Sequence, residues 1–309
     1  MKSAIETRNL CKSFKGFQAV QNLNLNVPEG SIYGFLGPNG AGKTTTIKML
    51  TGLSQPTEGS IRINGCEVSF GSMKYRKDIG FLPDVPNFYD WMTPVEFLLF
   101  SGEMFSIDRK TLTGRIESLM ALVGLDGVKK RIGGFSRGMK QRLGIAQALI
   151  NQPRVVFMDE PVSALDPIGR KEVIEILSKL AGKVTVFFSS HILSDIERVC
   201  DRVVILDKGR QVLEDSIEEL RTGYSSRIIL LGTEEGEAKH RLSVRLSKSD
   251  WVEKVESLEN GELRIHVREM EKAQHEIPAI FLGTEAPMKK MSILEPTLED
   301  IFMKVVEIK

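Results

Sequence analysis

Lys43 and Thr44 sit in a ten-residue run, GPNGAGKTTT at positions 37–46, that also holds three glycines and two further threonines. The spacing of Gly37, Gly42, Lys43 and Thr44 fits the phosphate-binding pattern G-x-x-x-x-G-K-[ST]. Glycines let the backbone curl so that several N–H groups point inward, an anion nest at a helix start. Lys43 is placed to reach β- and γ-phosphates as a point charge, and the Thr44 hydroxyl to ligand Mg²⁺. Gly37, Pro38, Asn39, Gly40, Ala41, Gly42 and Thr45 complete the expected cradle. The bland alternative is a Gly-rich turn with a surface lysine.

The flanking sequence decides between them. SIYGFLG, just before the loop, reads as a buried strand, and KTTTIKMLTGL reads as a helix with Ile47 and Leu50 on one face. Further on, Val155 to Met158 run into Asp159-Glu160. A carboxylate at the end of a buried parallel strand lies at the C-terminal edge of its sheet, beside the phosphate loop. Asp159 would hold Mg²⁺, directly or through water, and Glu160 could polarise an attacking water as general base. The structural alternative is a pair of helix-capping acids.

The elements that must position these groups alternate. VQNLNLNV, residues 20–27, has period two, with Leu23, Leu25 and Val27 on one face of a half-solvated strand. Asn64-Gly65 marks a type I′ hairpin between strand-like flanks. An antiparallel sheet therefore surrounds the phosphate loop in sequence. From about 93 to 150 the pattern is helical, opening with a Thr93 N-cap, Pro94 at N1 and Glu96 at N3. Then follow a buried strand (RVVFMDEP), an amphipathic helix (IGRKEVIEILSKLAG), another buried strand (VTVFFSSH) and a strand pair (DRVVILDKGRQV). Such alternation implies a mostly parallel sheet.

Composition narrows the classes. The chain has 309 residues, 41% hydrophobic and 27% charged, with formal net charge +1. Nothing basic enough to favour a nucleic-acid partner is present. Cys11, Cys66 and Cys200 are far apart, which fits a reducing compartment and no Cys-based zinc site. The four histidines show no metal spacing. No apolar run approaches the roughly 18 residues of a membrane span, and the first residues lack the apolar core of a signal peptide. A cytoplasmic protein is expected.

GGFSRGMKQRLGIAQALI then adds a second anion site. Ser136 is a good N-cap, Gly138 lies in the first turn, and Met139, Leu143, Ala146 and Ile150 make an apolar helix face. One phosphate tail does not need two helix N-termini from one chain. Here the sequence resembles an ATP-binding cassette protein, over about residues 3 to 215. GPNGAGKTT resembles the Walker A motif, FSRGM with KQRL the signature, and VVFMDEP Walker B with its glutamate. SALD, Ser163 to Asp166, resembles the D-loop, SSH supplies a switch histidine, His191, and Phe14 stands where an aromatic stacks on adenine.

The resemblance implies an α/β P-loop ATPase core with an antiparallel β subdomain and a helical subdomain. It implies ATP and Mg²⁺ as ligands and a head-to-tail homodimer. Each ATP would lie between Lys43 of one copy and Ser136 and Gly138 of the other, with Asp166 at the seam. His191 would contact the γ-phosphate and, with Glu160, hold the water. Asp84 departs from the pattern, standing where the family usually has glutamine. Drug- and sodium-export cassettes often carry an acid there, so Asp84 is read as the functional equivalent, near Mg²⁺ and water. Phe135, Arg137 and Met139 also depart from the commoner signature residues.

A cassette needs a load. DVPNFYDWMTPVEFL puts Phe88, Tyr89 and Trp91 in a loop, either to dock a membrane subunit's cytoplasmic helix or to fill the helical subdomain's own core. Residues 1–220 read as the nucleotide-binding domain and 221–309 as a small α/β accessory domain with strand-like RLSVRL and ELRIHV. The closing helix carries Leu298, Ile301, Phe302 and Val305 at i, i+3, i+4 and i+7. LEPTLEDIFMKV resembles the ending of drug-resistance-type export cassettes. The expectation is the ATP-hydrolysing subunit of a transporter, an exporter, peripheral on the cytoplasmic face of the membrane beside a separate transmembrane permease. The rival is a non-transport cassette ATPase of DNA repair or the ribosome. A nucleotide kinase or GTPase lacks a motif such as N-K-x-D and leaves the signature helix unexplained.

Overall fold

The computed structural model describes residues 2–69, 71, 75–223, 227–234, 236–258, 262–284, 287–294 and 297–307. The chain divides into two compact units, Met1–Glu218 with Phe302–Lys309, and Glu219–Ile301.

In chain order the first unit begins with β1 (Ser3–Phe14), β2 (Phe17–Leu23), β3 (Asn26–Pro28), β4 (Ile32–Leu36), α1 (Lys43–Leu50), β5 (Glu58–Ile63), β6 (Cys66–Glu67) and β7 (Ile79–Leu82). Three helices follow, α2 (Pro94–Glu103), α3 (Arg109–Leu122) and α4 (Arg137–Leu149). Then come β8 (Val155–Met158), α5 (Pro167–Leu180), β9 (Thr185–Ser190), α6 (Leu193–Val199), β10 (Arg202–Asp207) and β11 (Arg210–Ser216), and α7 (Ile217–Gly223) leads out. The central sheet has the order β11-β10-β4-β9-β8-β7. It is parallel from β10 to β7, with β11 antiparallel at one edge. An antiparallel sheet, β2-β1-β5-β6 with β3 also on β1, carries the hairpins. Asn64 and Gly65 turn the β5–β6 hairpin with φ of 49° and 77°, as a type I′ turn requires.

The core explains why VFM and TVFF are strands. β4, β8 and β9 are buried along their whole length, the mark of parallel strands covered on both faces. Phe187 packs on Tyr33, Phe35 and Phe157 with ring centroids 5.6, 5.0 and 5.8 Å apart. Ile47 and Leu50 of α1 join the same cluster. Each such side chain contributes roughly 1.5–3 kcal/mol by leaving water.

VQNLNLNV is not one strand. Leu23, Leu25 and Val27 are buried as the alternation requires, yet the segment breaks between β2 and β3. The Thr7 hydroxyl bridges the break, donating to the Leu23 carbonyl (2.9 Å) and accepting from the Leu25 N–H (2.8 Å), and Asn22 just before it is left-handed with φ 50°.

The second unit runs β12 (Ile228–Gly232), α8 (Glu237–Leu246), β13 (Val252–Ser257), β14 (Glu262–Val267), α9 (Met270–Leu282), β15 (Lys290–Ile293), and α10 (Leu298–Glu307) begins within it. Its antiparallel sheet has the order β13-β14-β12-β15, a split β-α-β arrangement. Ile229, Leu231, Leu263, Ile265 and Val267 alternate onto one buried face. RLSVRL, expected as a strand, is the end of α8. Its apparent alternation hides the i, i+4 pair Leu242 and Leu246, both buried, whereas Val244 is exposed. In the closing segment Leu298 and Ile301 are buried. Glu295, Pro296 and the side chain of Val305 lie outside the described residues.

Candidate nucleotide site

Strand register brings the predicted groups to one edge. Leu36 of β4 pairs with Ser190 of β9, Phe188 with Met158 of β8, and Met158 with Leu82 of β7. Gly37, His191 and Asp159 therefore leave neighbouring strands at the same C-terminal edge, with Asp84 two residues beyond its strand.

The loop is shaped by close approach. A Cβ on Gly37 would meet the Leu206 carbonyl oxygen at 2.6 Å, and one on Gly42, whose φ is 103°, would meet that of Ala19 at 2.5 Å. Only glycine fits at either position. Pro38, Asn39 and Gly40 are exposed, Ala41 is buried and its N–H bonds the Pro38 carbonyl at 3.1 Å. Thr44 is exposed and Thr45 half-buried in the first turn of α1.

Lys43 is buried beneath this loop. Its Nζ donates to the Gly37 carbonyl at 2.7 Å and the Pro38 carbonyl at 3.3 Å, and lies 3.1 Å from Glu160 Oε1. Glu160 Oε2 is 2.8 Å from His191 Nδ1. Lysine, glutamate and histidine thus form one continuous line. The Glu160 backbone is left-handed, with φ 49°, a conformation unfavourable for a side chain that large. Its N–H donates to Ser189 Oγ at 2.9 Å, and Ser189 Oγ donates to Asp159 Oδ1 at 2.7 Å. Asp159 itself is buried, and its N–H bonds the Leu82 carbonyl at 2.8 Å. It does not cap a helix.

Asp84 is exposed at the rim. Partial burial, then the neighbouring Asp159 and, to a lesser degree, Glu160 raise its carboxyl above the ordinary aspartate range, and Arg137 and His191 pull the other way. Asp84 is thereby tied to the same cluster.

Four expected residues stand apart from that line. Ser136 caps α4, accepting from the Met139 N–H at 3.2 Å. Gly138 lies in the first turn of that helix. Asp166 caps α5, accepting from the Gly169 N–H at 3.1 Å. Phe14 is half-exposed, with Lys12 Nζ 4.9 Å from its ring centre. The cavity that opens beside Gly40, about 710 Å³, is lined instead by Phe17, the cross-strand partner of Phe14, with Ser13, Gly16, Gln18, Gln21 and Lys208. Sequence reading missed Phe17 and Ser189. The signal for Phe17 was its place opposite Phe14 across the Lys15-Gly16 turn; a serine in a buried apolar run gives no signal.

A Gly-rich loop between a buried parallel strand and a helix, with a lysine under it and two acids ending the next strand but one, defines a nucleotide-hydrolysing P-loop protein. The comparisons with known proteins carry the assignment further. The family described as ABC transporter matches residues 20–163, and the family described as ATP-binding protein DrrA1-3-like, C-terminal domain, matches residues 216–306. An uncharacterized ABC transporter ATP-binding protein, YxlF of Bacillus subtilis, is 37% identical over 98% of this chain and 99% of its own length. The bacitracin transport ATP-binding protein BcrA of Bacillus licheniformis is 36% identical over 99% and 98%. A solved ATP binding subunit of an ABC transporter shares 29% identity with TM-score 0.65, covering 72% of this chain and 93% of that one. A dimeric ATP-binding cassette bound to ADP and phosphate shares 25% with TM-score 0.61, covering 69% and 98%. The chain belongs to the ABC transporter ATP-binding proteins. It binds and hydrolyses ATP, as an α/β cassette ATPase with a DrrA-like C-terminal domain.

Proposed function

We propose that the chain is the motor subunit of an exporter, peripheral on the cytoplasmic face of the membrane and working with a separate transmembrane permease. The line Lys43–Glu160–His191 at the sheet edge carries the hydrolytic half of this reading. The full-length likeness to a bacitracin transport protein supports the export half, and nothing favours a DNA-repair or ribosomal role. Among the described residues no helix is long and apolar enough to cross a membrane.

Lys43 and the N–H groups of Gly40 to Thr45 hold the β- and γ-phosphates. Phe17 packs on the base in the cavity beside Gly40, and Phe14, its cross-strand partner, stands next to it. Glu160 orients the attacking water and takes its proton. His191, hydrogen-bonded to Glu160 Oε2, fixes that carboxylate and contacts the γ-phosphate. As phosphate arrives, Lys43 exchanges Glu160 for phosphate oxygens, which frees the carboxylate for water.

The donor set fits Mg²⁺. Among the described residues no cluster of three or more His, Cys, Asp or Glu is arranged to hold a metal alone. One buried carboxylate and one exposed hydroxyl suit an ion shared with phosphates and water. Asp159 and Thr44 would hold it, with Asp84 at its water shell. It would neutralise charge that develops on the phosphates.

Ser136 and Gly138 head a second helix whose N-terminus serves a second copy of the chain, and Asp166 lies at the seam. ATP then closes a head-to-tail dimer. The load docks on the helical side. Phe88 packs on Phe97 at 5.0 Å and belongs to the subdomain core, whereas Tyr89 and Trp91 are exposed. Met104, Phe105, Leu53 and Phe81 line an open groove of about 430 Å³ that suits a permease's cytoplasmic helix.

Glu160→Gln tests the reading. ATP binding should persist, turnover should fall by on the order of 10³-fold or more, and light scattering should show dimers with ATP. Turnover near wild type removes Glu160 as base; a monomer with ATP removes the shared pocket.

A further inference from the structure

We infer that Ser189 is the positioning residue that sets the two acids of the site as one unit. The inference rests on the reading of Asp159 as the metal-side carboxylate and Glu160 as the base. Ser189 lies near the end of a strand whose preceding residues, VFF, are apolar, and it is fully buried. A buried hydroxyl is costly unless both its donor and acceptor capacities are used. Here both are. The oxygen accepts the Glu160 N–H at 2.9 Å, and the proton goes to Asp159 Oδ1 at 2.7 Å.

The two bonds act on different acids. Glu160 sits at φ 49°, so its carboxylate points where it does only while that turn is held. Ser189 holds it from the N–H side, and the Ser163 N–H holds the Glu160 carbonyl at 3.0 Å. With the other bond Ser189 fixes one oxygen of Asp159. This selects one rotamer of the carboxylate and leaves Oδ2 free of the hydroxyl. A single side chain from β9 therefore couples the aim of the base at the end of β8 to the orientation of the metal-side acid. The neighbouring Ser190 works elsewhere. Its Oγ accepts the Ile192 N–H at 3.0 Å and shapes the turn around His191.

The full chain with Ser189→Ala should show kcat lowered roughly 10-fold with ATP half-saturation barely moved. Ser189→Thr, which keeps the oxygen, should restore most of it. A second readout is independent of turnover. Mn²⁺ is titrated against the ATP-loaded Glu160→Gln protein and followed by electron paramagnetic resonance. Adding Ser189→Ala should raise its half-saturation on the order of tenfold. Should the alanine variant not fold, Ser189→Cys, which keeps the volume but weakens both bonds, carries the same readouts with smaller shifts. Wild-type kcat and Mn²⁺ half-saturation in a folded variant overturn the inference. A kcat loss with unmoved Mn²⁺ half-saturation overturns it too, because the hydroxyl then acts on Glu160 alone and does not set the two acids as one unit. If Glu160→Gln itself turns over normally, the assignment of the base fails, and the same Mn²⁺ titration with a non-hydrolysable ATP analogue still judges Ser189.

Discussion

At the level of single residues, Asp84 shares the sheet edge with Asp159 and Glu160. Partial burial and these like charges raise its carboxyl above the ordinary aspartate range. The folded state therefore holds the Asp84 proton more tightly than the unfolded chain does. Ionised Asp84 subtracts stability, so stability falls as pH rises through the raised value and is recovered as pH falls to the ordinary range. Asp84→Asn is expected to raise the melting temperature of the nucleotide-free protein at neutral pH, with the gain vanishing below the ordinary aspartate range. The same variant should hydrolyse ATP more slowly, since asparagine loses the acid's charge without gaining the extra methylene that lets the family's usual glutamine reach. Calorimetry across pH, paired with a phosphate-release assay, checks both; an unchanged melting temperature at neutral pH contradicts the repulsion. The acids themselves were legible, because Asp159 and Glu160 end an apolar run and Lys43 sits in a spaced pattern. Their coupling was not. It depends on Met158 pairing with Leu82 and Phe188, and register between strands distant in sequence leaves no trace in one dimension.

Among the elements, α2 was written most plainly. Thr93 accepts from the Glu96 N–H at 3.3 Å, and Glu96 Oε2 accepts from the Thr93 N–H at 2.7 Å, a complete capping box ahead of Pro94. The bond from the Thr93 backbone, and then its side chain, hold the Glu96 carboxyl below the usual glutamate range. Its contribution is therefore present above the ordinary glutamate value and is lost as pH falls through the lowered one. Thr93→Ala should cost about 1 kcal/mol, read by denaturant unfolding near neutral pH, and leave ATP affinity unchanged. A shifted ATP affinity would mean that α2 reaches the nucleotide. Elements whose periodicity is contested were read less well. RLSVRL satisfies both a two-residue and a four-residue repeat, and burial of Leu242 and Leu246 decided for the helix. VQNLNLNV carries a true alternation, but it breaks where Thr7, distant in sequence, bridges the chain with its hydroxyl. In both cases a group outside the segment, or what covers it, shares in the outcome.

For the whole molecule, the change of character near residue 220 marks a division that the contacts place between Glu218 and Glu219. The two units keep separate cores: the first centres on the Phe187 rings, the second on Trp251, whose Nε1 donates to Glu276 at 2.7 Å. A unit with its own buried cluster folds as its own cooperative block. The composition shift near residue 220 is the only trace of a division in the sequence, and it carries no sign that Phe302–Lys309 groups with the first unit; an amphipathic stripe such as Leu298 and Ile301 says that a helix is covered and not by what. We propose residues 1–220 as a self-sufficient ATPase core. A chain ending at 220 should keep a cooperative unfolding transition, bind ATP with Lys43-dependent affinity, and melt at a temperature that ATP raises. Circular dichroism with nucleotide titration, run beside a Lys43→Ala control, reads all three. Loss of cooperative unfolding at 220 refutes the boundary, and recovery of the transition on restoring residues 221–309 would then assign the missing stability to the second block and its closing helix.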